Sequence, residues 1–321
     1  MTSPSQPVLV TGAAGFVGSH LTELLNRDGV EVVGWRRPGT PASTPDGAVR
    51  WMAVELLDRA QVVRALEVVA PAAVYHLAGS AHVGQSWTDT LGTYEGNVRA
   101  THNLFEALRT VGLRPRVLVS GSATIYAPQD HPLTEADPLR PGSPYATSKL
   151  AQEMLAQRAV EEEGIPVLIA RAFNHIGPRQ DPSYVAPSIA RQIAEIEAGR
   201  RDPVLAMGNL EPRRDLTDVR DTVAAYRALV RAGTPGLPYN VCSGRALAIR
   251  TLVETFVSRA RVSVSIVQDP ERFRPNDMPI LVGDHTRLTA DTGWHPTIPL
   301  EQTVDDLLDY WREQTETRSK K

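Results

Sequence analysis

Two side chains that could move a proton lie four residues apart in the segment 143–149 (SPYATSK). Pro144 and the Ala-, Leu- and Glu-rich run that follows it to Glu163 predict a helix, which would put Tyr145 and Lys149 on one face. A nearby ammonium favours a phenolate, so we expect Lys149 to lower the pKa of Tyr145 toward neutrality. With the Ser122 hydroxyl, this set could supply the acid/base half of a hydride transfer to a carbonyl. The spacing alone also occurs on ordinary helices.

The use of lysine in this chain supports a special role for Lys149. The chain has 34 Lys plus Arg residues, but lysine stands only at Lys149, Lys320 and Lys321. A guanidinium is a planar fork that does not deprotonate, whereas an ammonium is a compact charge with three rotatable donors. Arginine would therefore replace Lys149 poorly, and the bias indicates that an ammonium is needed there.

The bulk composition excludes several classes of protein. A length of 321 residues predicts about two domains with an ample core. The single cysteine, Cys242, excludes an internal disulfide, and the first residues lack a charged and apolar leader, so we expect a cytoplasmic protein. No apolar run reaches the roughly 18 residues of a membrane span. The net charge of −3 argues against a nucleic-acid partner, and no His, Cys or carboxylate spacing indicates a metal site.

A glycine-rich turn follows the first apolar strand, Val8 to Val10. The pattern Gly12-x-x-Gly15-x-x-Gly18 leads into a helical segment that begins around Phe16 and Val17, and the next strand is 30–35. Such glycines allow a tight turn and a close approach of a pyrophosphate, while the helix N-terminus faces its negative charge. This turn predicts a dinucleotide site.

The end of the second strand indicates which dinucleotide binds. NAD-binding proteins place Asp or Glu there for the ribose hydroxyls, and NADP-binding proteins place arginine for the 2′-phosphate. This chain has Arg36 and Arg37 at that position. We therefore expect NADPH rather than NADH; the alternative is that the two arginines are only a solvated strand end.

Strands and helices alternate through the first half of the chain. Helices are expected at 60–70, 93–111 and 144–163, and strands at 73–77, 116–120 and 166–170. This alternation predicts an α/β fold with a doubly wound parallel (Rossmann) sheet whose ligands bind at the carboxyl ends of the strands. We expect residues 1–172, with 215–242 returning, to form the dinucleotide domain. Residues 173–214 and 243–321 would form a smaller, discontinuous substrate lobe, with helices at 187–198, from 250 and from 300, and a strand at 262–267. The helix from 217 to 232 would return to the dinucleotide domain.

Together these motifs resemble the extended short-chain dehydrogenases/reductases that modify nucleotide sugars. The resemblance rests on Gly12 to Gly18, 76–79 (HLAG), the Ser122, Tyr145 and Lys149 set, and 171–174 (RAFN). Within that family the chain is most similar to the GDP-4-keto-6-deoxy-D-mannose reductases, which make GDP-D-rhamnose. The segments that carry this finer similarity are 173–178 (FNHIGP), 190–193 (ARQI), 208–210 (GNL), 214–221 (RDLTDVRD) and 239–244 (YNVCSG).

The resemblance implies a role for individual residues. Ser122 would bind the sugar carbonyl, Tyr145 would protonate its oxygen, and Lys149 would bind the nicotinamide ribose. Glu55 stands where relatives usually carry an aspartate that contacts adenine, which puts that contact in doubt. The implied cofactor-binding residues are Gly12, Gly15, Phe16, Val17, Gly18, Arg36, Arg37, Glu55, Leu56, Leu77, Ala78, Asn97, Tyr145, Lys149 and Phe173. The implied GDP-sugar-binding residues are His82, Ser86, Asn174, Arg179, Val185, Asn209, Leu210, Arg214, Asn240, Arg274 and Asp277.

Several alternatives remain open at this point. The segment 122–126 (SATIY) also fits an NDP-sugar 4-epimerase with tightly bound NAD, and the tail 273–277 (FRPND) resembles that of GDP-mannose 4,6-dehydratases. A reductase that delivers hydride to the other face would give GDP-6-deoxy-D-talose. A module that only senses NADP(H) would have no use for Ser122, Tyr145 and Lys149. His82 and His175 could be merely half-buried side chains. Family relatives are commonly homodimers, here expected through helices 93–111 and 144–163.

Overall fold

The computed structural model describes residues 6–41, 49–269, 271 and 278–319. In this part of the chain the strands are β1 (Val8–Thr11), β2 (Val32–Arg36), β3 (Arg50–Ala53), β4 (Ala73–His76), β5 (Arg116–Ser122), β6 (Val167–Ala172), β7 (Asn174–Ile176), β8 (Val204–Met207), β9 (Arg213–Asp218), β10 (Pro238–Val241), β11 (Ala246–Ala248), β12 (Ser265–Gln268) and β13 (Ile280–Leu281).

The helices in the same residues are α1 (Phe16–Arg27), α2 (Arg59–Val69), α3 (Thr90–Tyr94), α4 (Ala100–Val111), α5 (Pro144–Glu161), α6 (Val185–Glu197), α7 (Val219–Ala232), α8 (Ile249–Val257), α9 (Thr286–Thr292) and α10 (Leu300–Ser319). A π-helical turn, Glu95–Arg99, joins α3 to α4.

Seven parallel strands form the central sheet in the order β10-β6-β5-β4-β1-β2-β3. Helices α2, α4 and α5 cover one face through an apolar cluster that includes Leu66 and Leu104, and α1, α7 and α9 cover the other through Leu21 and Tyr226. Because both faces are covered, the inner strands are mostly apolar, as is usual in parallel sheets. The predicted doubly wound sheet is confirmed, and its order reverses between β1 and β4, where such sheets bind ligands.

A second lobe is built from the segments between and after the last strands of the sheet. Strands β7, β9, β11 and β13 form one small sheet, and β8 pairs with β12. Helices α6, α8 and α10 pack together through residues such as Ile193, Phe256 and Leu307. Cys242, at the end of β10, is wholly buried against Phe173 and Leu281 between the lobes. We retain the two-lobe division as a proposal.

The structure differs from the expected elements in several places, and the short elements β7, β8, β11, β13 and α9 were not predicted. Strand β3 was not predicted, because its residues lack an apolar alternation and it lies at the edge of the sheet. Helix α7 begins at Val219 rather than at residue 217, because residues 213–218 form β9 and Asp218 caps the helix by accepting from the Arg220 amide at 2.7 Å. The predicted strand 262–267 begins three residues later in the structure, as β12 (Ser265–Gln268). The predicted helix 93–111 begins earlier, at Thr90, and is interrupted by the π-helical turn.

Candidate active site

Tyr145 and Lys149 lie in the first two turns of α5. Pro144 starts this helix, and the Ser143 hydroxyl caps it by accepting from the Ala146 amide at 3.1 Å. The one-turn spacing puts both side chains on the buried face of α5, with the Lys149 Nζ 5.9 Å from the centre of the Tyr145 ring. The helix start encoded in the sequence therefore places the two side chains at one point of the core.

Ser122 reaches the same point from the carboxyl end of β5. Its hydroxyl forms a hydrogen bond with the Tyr145 phenol and lies 3.0 Å from the Thr124 hydroxyl. The structure thus brings the three predicted catalytic side chains together at the edge where parallel sheets bind ligands. Their catalytic roles stay a prediction.

The ionisation of Tyr145 differs from the sequence expectation. Burial raises the pKa of the Tyr145 phenol, and the hydrogen bond with Ser122 opposes this only in part. Burial also lowers the pKa of Lys149 to about 8, because the charged ammonium loses water. In this structure the phenol is protonated at neutral pH, which suits a group that donates a proton.

Two hydrogen bonds hold the Lys149 ammonium. Its Nζ donates to the Ser120 carbonyl at 2.9 Å and to the Gln152 Oε1 at 3.0 Å. An ammonium carries three hydrogens. Among the described residues, one hydrogen is therefore left for a ligand such as a ribose hydroxyl.

Asn97 sits in the π-helical turn and ties the loop after β4 to α5. Its Oδ1 accepts from the Ser80 amide at 2.8 Å, and its Nδ2 donates to the Ser80 carbonyl at 3.1 Å and to the Ser148 hydroxyl at 2.9 Å. Turns of this kind are often found at functional sites. This one fixes α5 against the loop that carries the HLAG motif after β4.

The glycine turn forms a tight cradle at the N-terminus of α1. Gly12 has φ +66°, and a Cβ there would meet the Ala78 amide nitrogen at 2.8 Å. Gly15 caps α1, with its amide donating to the Gly12 carbonyl at 2.9 Å, and Gly18 packs on that carbonyl. Phe16 and Val17 open the helix, and Leu77 packs in the core beneath the turn. Backbone amides at a helix N-terminus suit a pyrophosphate.

The end of β2 carries Arg36, and Arg37 follows it. The Arg36 Nη1 donates to the Thr40 carbonyl, while its buried Nε has no hydrogen-bond partner within the residues that the structure describes. Arg37 is exposed. A guanidinium nitrogen without a partner fits a phosphate oxygen, so the residues present fit a dinucleotide with a 2′-phosphate.

Three further predicted cofactor residues form hydrogen bonds within the protein. Glu55 accepts from the Leu57 amide at 3.1 Å through its own Oε1, so its carboxylate is used in a local turn. The Leu56 carbonyl accepts from the Asn103 side chain at 2.8 Å. Phe173 is buried, and its amide donates to the Val241 carbonyl at 2.9 Å. Their contacts with a cofactor stay predictions.

His82 connects the loop after β4 with the loop before α6. Its ring stacks on the Tyr184 ring with centres 4.6 Å apart, and its Nε2 lies 3.1 Å from the Ser183 hydroxyl. The Tyr184 hydroxyl donates to the Ala81 carbonyl at 3.1 Å. The predicted partner Ser86 is wholly buried, and its hydroxyl donates to the Val83 carbonyl of its own turn at 2.7 Å. His82 is thus a bridge between loops, and Ser86 is part of a turn.

Two residues expected to face the nucleotide have their side chains committed to the protein. Arg179 donates to Glu23 of α1 and to the His20 Nδ1 at 2.8 Å. Asn240 is wholly buried; its Oδ1 accepts from the Tyr126 hydroxyl at 2.7 Å and its Nδ2 donates to the Leu133 carbonyl at 2.8 Å. The structure therefore places Asn240 in a core network and Arg179 in an ion pair with α1, and their contacts with a nucleotide stay a prediction.

The other predicted substrate residues lie in or beside the second lobe. Val185 and Leu210 pack in its core, and the Asn209 Oδ1 accepts from the Glu211 amide at 3.1 Å. The rest of the set consists of Asn174, half-buried on β7, and Arg214, half-buried on β9; Arg274 and Asp277 lie outside the described residues. The His175 ring stacks on the Phe16 ring with centres 5.9 Å apart, and burial lowers the pKa of His175. Substrate binding by this set stays a prediction.

Sequence reasoning missed the buried polar residues that hold α5. The Arg171 guanidinium of β6 donates two hydrogen bonds, of 3.0 and 2.6 Å, to the Glu153 carboxylate of α5. Both side chains are almost wholly buried. Gln152 contacts Lys149. It lies three residues after Lys149 on the same helix, and this spacing could have predicted the contact. Gln152 donates to the Thr101 hydroxyl, which also forms a hydrogen bond with His76. Thr101 and His76 come from other elements, so no local spacing predicted these contacts.

No helix among the described residues is long and apolar enough to cross a membrane. Nor do the residues described here contain a group of three or more His, Cys, Asp or Glu side chains that could hold a metal ion.

A family model described as GDP-mannose 4,6 dehydratase matches residues 9–307. The chain belongs to this family. A curated member, GDP-6-deoxy-D-mannose reductase from Pseudomonas aeruginosa, is 36% identical over 315 residues, covering 96% of this chain and 97% of that protein. GDP-mannose 4,6-dehydratase from Vibrio cholerae is 28% identical, covering 97% and 95% of the two chains. The similarity therefore spans both lobes.

Solved structures of family relatives share the fold. The Pseudomonas aeruginosa protein RMD in complex with NADPH has a TM-score of 0.87 and 35% identity, covering 97% of this chain and 100% of that one. UDP-glucose 4-epimerase from Thermus thermophilus in complex with NAD has a TM-score of 0.85 and 29% identity, covering 95% and 99%. By name these relatives are a reductase, a dehydratase and an epimerase of nucleotide sugars, the enzyme classes that the sequence resemblance pointed to.

Proposed function

We propose that this chain reduces the C4 ketone of GDP-4-dehydro-6-deoxy-D-mannose with NADPH and forms GDP-D-rhamnose. The observation that carries the proposal is the convergence of a protonated Tyr145, Ser122 and Lys149 beside the glycine turn. Similarity to the Pseudomonas aeruginosa reductase along nearly the whole chain, and to a relative solved with NADPH, supports the choice of substrate and cofactor.

The residues of the chain divide the proton chemistry between them. NADPH, when bound, supplies the hydride that reduces the carbonyl carbon. Ser122 would donate a hydrogen bond to the carbonyl oxygen, and Tyr145 would transfer its phenolic proton to that oxygen as negative charge develops. The Lys149 ammonium would stabilise the resulting phenolate, which then takes a proton from solvent. The product is an alcohol, and the electron pair of the hydride ends in the new C–H bond.

The dehydratase and epimerase alternatives have less support from the residues present. The resemblance implies that dehydratases carry a glutamate two residues after the Ser122 position, where this chain has Thr124. A hydroxyl does not titrate near neutral pH and so cannot act as that base. The next glutamate along the chain, Glu135, accepts from the Asn240 amide at 2.8 Å and lies 3.7 Å from Arg287. Against an NAD-retaining epimerase stand Arg36 and Arg37 at the end of β2.

The proposal is tested by incubating the purified protein with NADPH and enzymatically prepared GDP-4-dehydro-6-deoxy-D-mannose. We expect NADPH consumption and GDP-D-rhamnose as the product, identified by NMR. GDP-6-deoxy-D-talose would show that hydride reaches the other face. Absence of NADPH consumption would overturn the reductase assignment.

A matched incubation with GDP-mannose and NADP⁺ tests the missing base. We expect no loss of water by mass spectrometry, because Thr124 cannot remove the C5 proton; a separate dehydratase must then supply the keto sugar. A substantial 4-keto-6-deoxy product would favour a dehydratase with another base, and Glu135→Gln would be the first variant to examine.

We also propose that the chain forms a homodimer through α3, α4 and α5. Leu91 on α3 and Met154 on α5 are 71% and 61% exposed, although both are large and apolar. Helices α3 and α5 pack against each other, and a second copy that covered both helices would bury these side chains. The cytoplasmic location expected from the sequence stays a prediction.

A further inference from the structure

Gln152 forms hydrogen bonds in two directions from the buried side of α5. Its Oε1 accepts from the Lys149 Nζ at 3.0 Å, and its Nε2 donates to the Thr101 hydroxyl of α4 at 2.7 Å. Gln152 is 1% exposed. A buried amide with both ends paired contributes to a fixed local geometry.

The orientation of the Gln152 amide follows from counting hydrogens. The Thr101 hydroxyl has one hydrogen, and it donates that hydrogen to the Asn97 carbonyl at 2.6 Å. Thr101 can therefore only accept from Gln152, so the nitrogen end of the amide must face Thr101. The oxygen end then faces Lys149, as an ammonium requires.

His76 extends this chain to the glycine turn. It is wholly buried, and burial lowers its pKa to about 3, so the ring is neutral at neutral pH. Its Nε2 lies 2.9 Å from the Thr101 hydroxyl and must carry the proton, since the hydrogen of Thr101 is committed. Its Nδ1 therefore accepts from the Thr11 hydroxyl at 2.9 Å, and the Thr11 oxygen accepts from the Ala78 amide at 3.2 Å. One chain of directed hydrogen bonds thus joins Lys149 to the strand ends around Gly12.

We propose that Gln152 is a positioning residue, whose side-chain oxygen holds the Lys149 ammonium in place and stabilises its charged form. Thr101, His76 and Thr11 keep the amide in the orientation that makes this possible. The effect on Lys149 is independent of the substrate, whereas its value for catalysis rests on the proposed reduction.

The surroundings of Lys149 explain why a neutral acceptor matters. Among the described residues, the ionisable groups near it are His76 from β4, Tyr145 from α5 and Tyr226 from α7, whose hydroxyl lies 3.4 Å from the Ser120 hydroxyl. All three are neutral at neutral pH, because burial lowers the pKa of His76 and raises those of Tyr145 and Tyr226. The neighbouring carboxylate, Glu153, is paired with Arg171. Oxygen atoms of Gln152 and Ser120 therefore supply the acceptors for a buried ammonium.

The scarcity of lysine permits a direct test in the cofactor-free protein. Selective ¹³C labelling of lysine Cε gives signals only from Lys149, Lys320 and Lys321. Replacing the last two with arginine in the full chain assigns the Lys149 signal, and its shift against pH gives the pKa of the ammonium.

Three substitutions in this background give distinct expected titrations. Gln152→Met, which keeps the shape but removes the acceptor, should lower the pKa of Lys149 by about one to two units, the size of a lost hydrogen bond to a charged group. Gln152→Glu keeps an oxygen and adds a negative charge, so it should raise that pKa. Gln157→Met, the same change on the same helix beyond Lys149, should leave it unchanged.

The two proposals can fail separately. If Gln152→Met and Gln157→Met titrate like the parent protein, the positioning role is wrong, whatever the enzyme reduces. Should Gln152→Met not fold, Thr101→Val, which removes the hydroxyl that orients the amide, should lower the pKa of Lys149 in its place; an unchanged value would overturn the proposal. In turnover assays the basic limb of the kcat profile should move in the direction of each pKa change. If Gln152 had only a structural role, the Gln152→Met and Gln152→Glu variants would not move this limb in opposite directions.

Discussion

Tyr145 experiences two opposing influences, since burial disfavours the phenolate and the hydrogen bond with Ser122 favours it. The expectation of a lowered pKa considered only the nearby charge of Lys149. It omitted desolvation, which dominates for a side chain on the buried face of α5. The direction of the shift suits reduction, because the acid must hold its proton until the carbonyl oxygen gains charge.

Tyr145→Phe should reduce kcat by about 10²- to 10⁴-fold, the usual contribution of a general acid. NADPH binding, measured by fluorescence titration, should be nearly unchanged, because only the proton donor is lost. Tyr310→Phe on α10, in the other lobe, is the matched control and should retain full activity. An unchanged kcat in the Tyr145 variant would remove the assignment of this residue.

Arg36 and Arg37 should set the cofactor preference through the 2′-phosphate. Replacing both with alanine should raise the KM for NADPH far more than the KM for NADH, because only NADPH carries that phosphate. Steady-state kinetics with both cofactors measure the change, and Arg27→Ala at the far end of α1 serves as the control. Equal responses to the two cofactors would mean that the arginines do not contact the 2′-phosphate.

At the scale of elements, α5 is the helix on which the site depends, and a buried ion pair anchors it to β6. Arg171 and Glu153 are 4% and 2% exposed, and the Arg171 Nη1 also donates to the Tyr126 hydroxyl at 2.8 Å. Removing one partner of such a pair leaves an uncompensated buried charge, which is costly. The pair thus explains why two charged residues persist in the core.

Arg171→Met should lower the free energy of unfolding by about 3–5 kcal/mol, measured by urea denaturation. Arg109→Met breaks the exposed pair with Glu106 on α4 and should cost at most about 1 kcal/mol. Adding Glu153→Leu to Arg171→Met should recover much of the loss, because the unpaired charge is gone. A loss for Arg171→Met as small as that of the control would show that the pair does not anchor α5.

Local patterns predicted the elements that bring Ser122, Tyr145 and Lys149 together. Pro144, the one-turn spacing and the ends of parallel strands each act over a few residues, so they can be read directly from a sequence. Asn240 and Arg179 could not be predicted in this way, because their partners, Tyr126 and Glu23, are more than a hundred residues away. The π-helical turn around Asn97 also had no signal, since its extra residue is stabilised by contacts with Ser80 and Ser148.

At the scale of the molecule, the proposed dimer accounts for apolar side chains that water otherwise surrounds. Sedimentation should give about twice the 35.0 kDa chain mass. Leu91→Glu together with Met154→Glu should shift the protein toward the monomer, because each carboxylate would be buried at the interface. Val68→Glu on α2, which is 69% exposed in the parent, should leave the assembly intact. A monomeric parent protein would contradict the proposed interface.

The buried thiol between the lobes makes this chain suited to site-directed spectroscopic labelling. Cys242 has no exposed surface, and burial raises its pKa well above the ordinary value, so thiol reagents should not reach or activate it. With no other cysteine in the sequence, a cysteine introduced at exposed Glu67 of α2 and another at exposed Gln314 of α10 would be the only reactive thiols. A fluorophore pair at these positions would report the separation of the two lobes while the native thiol stays in place.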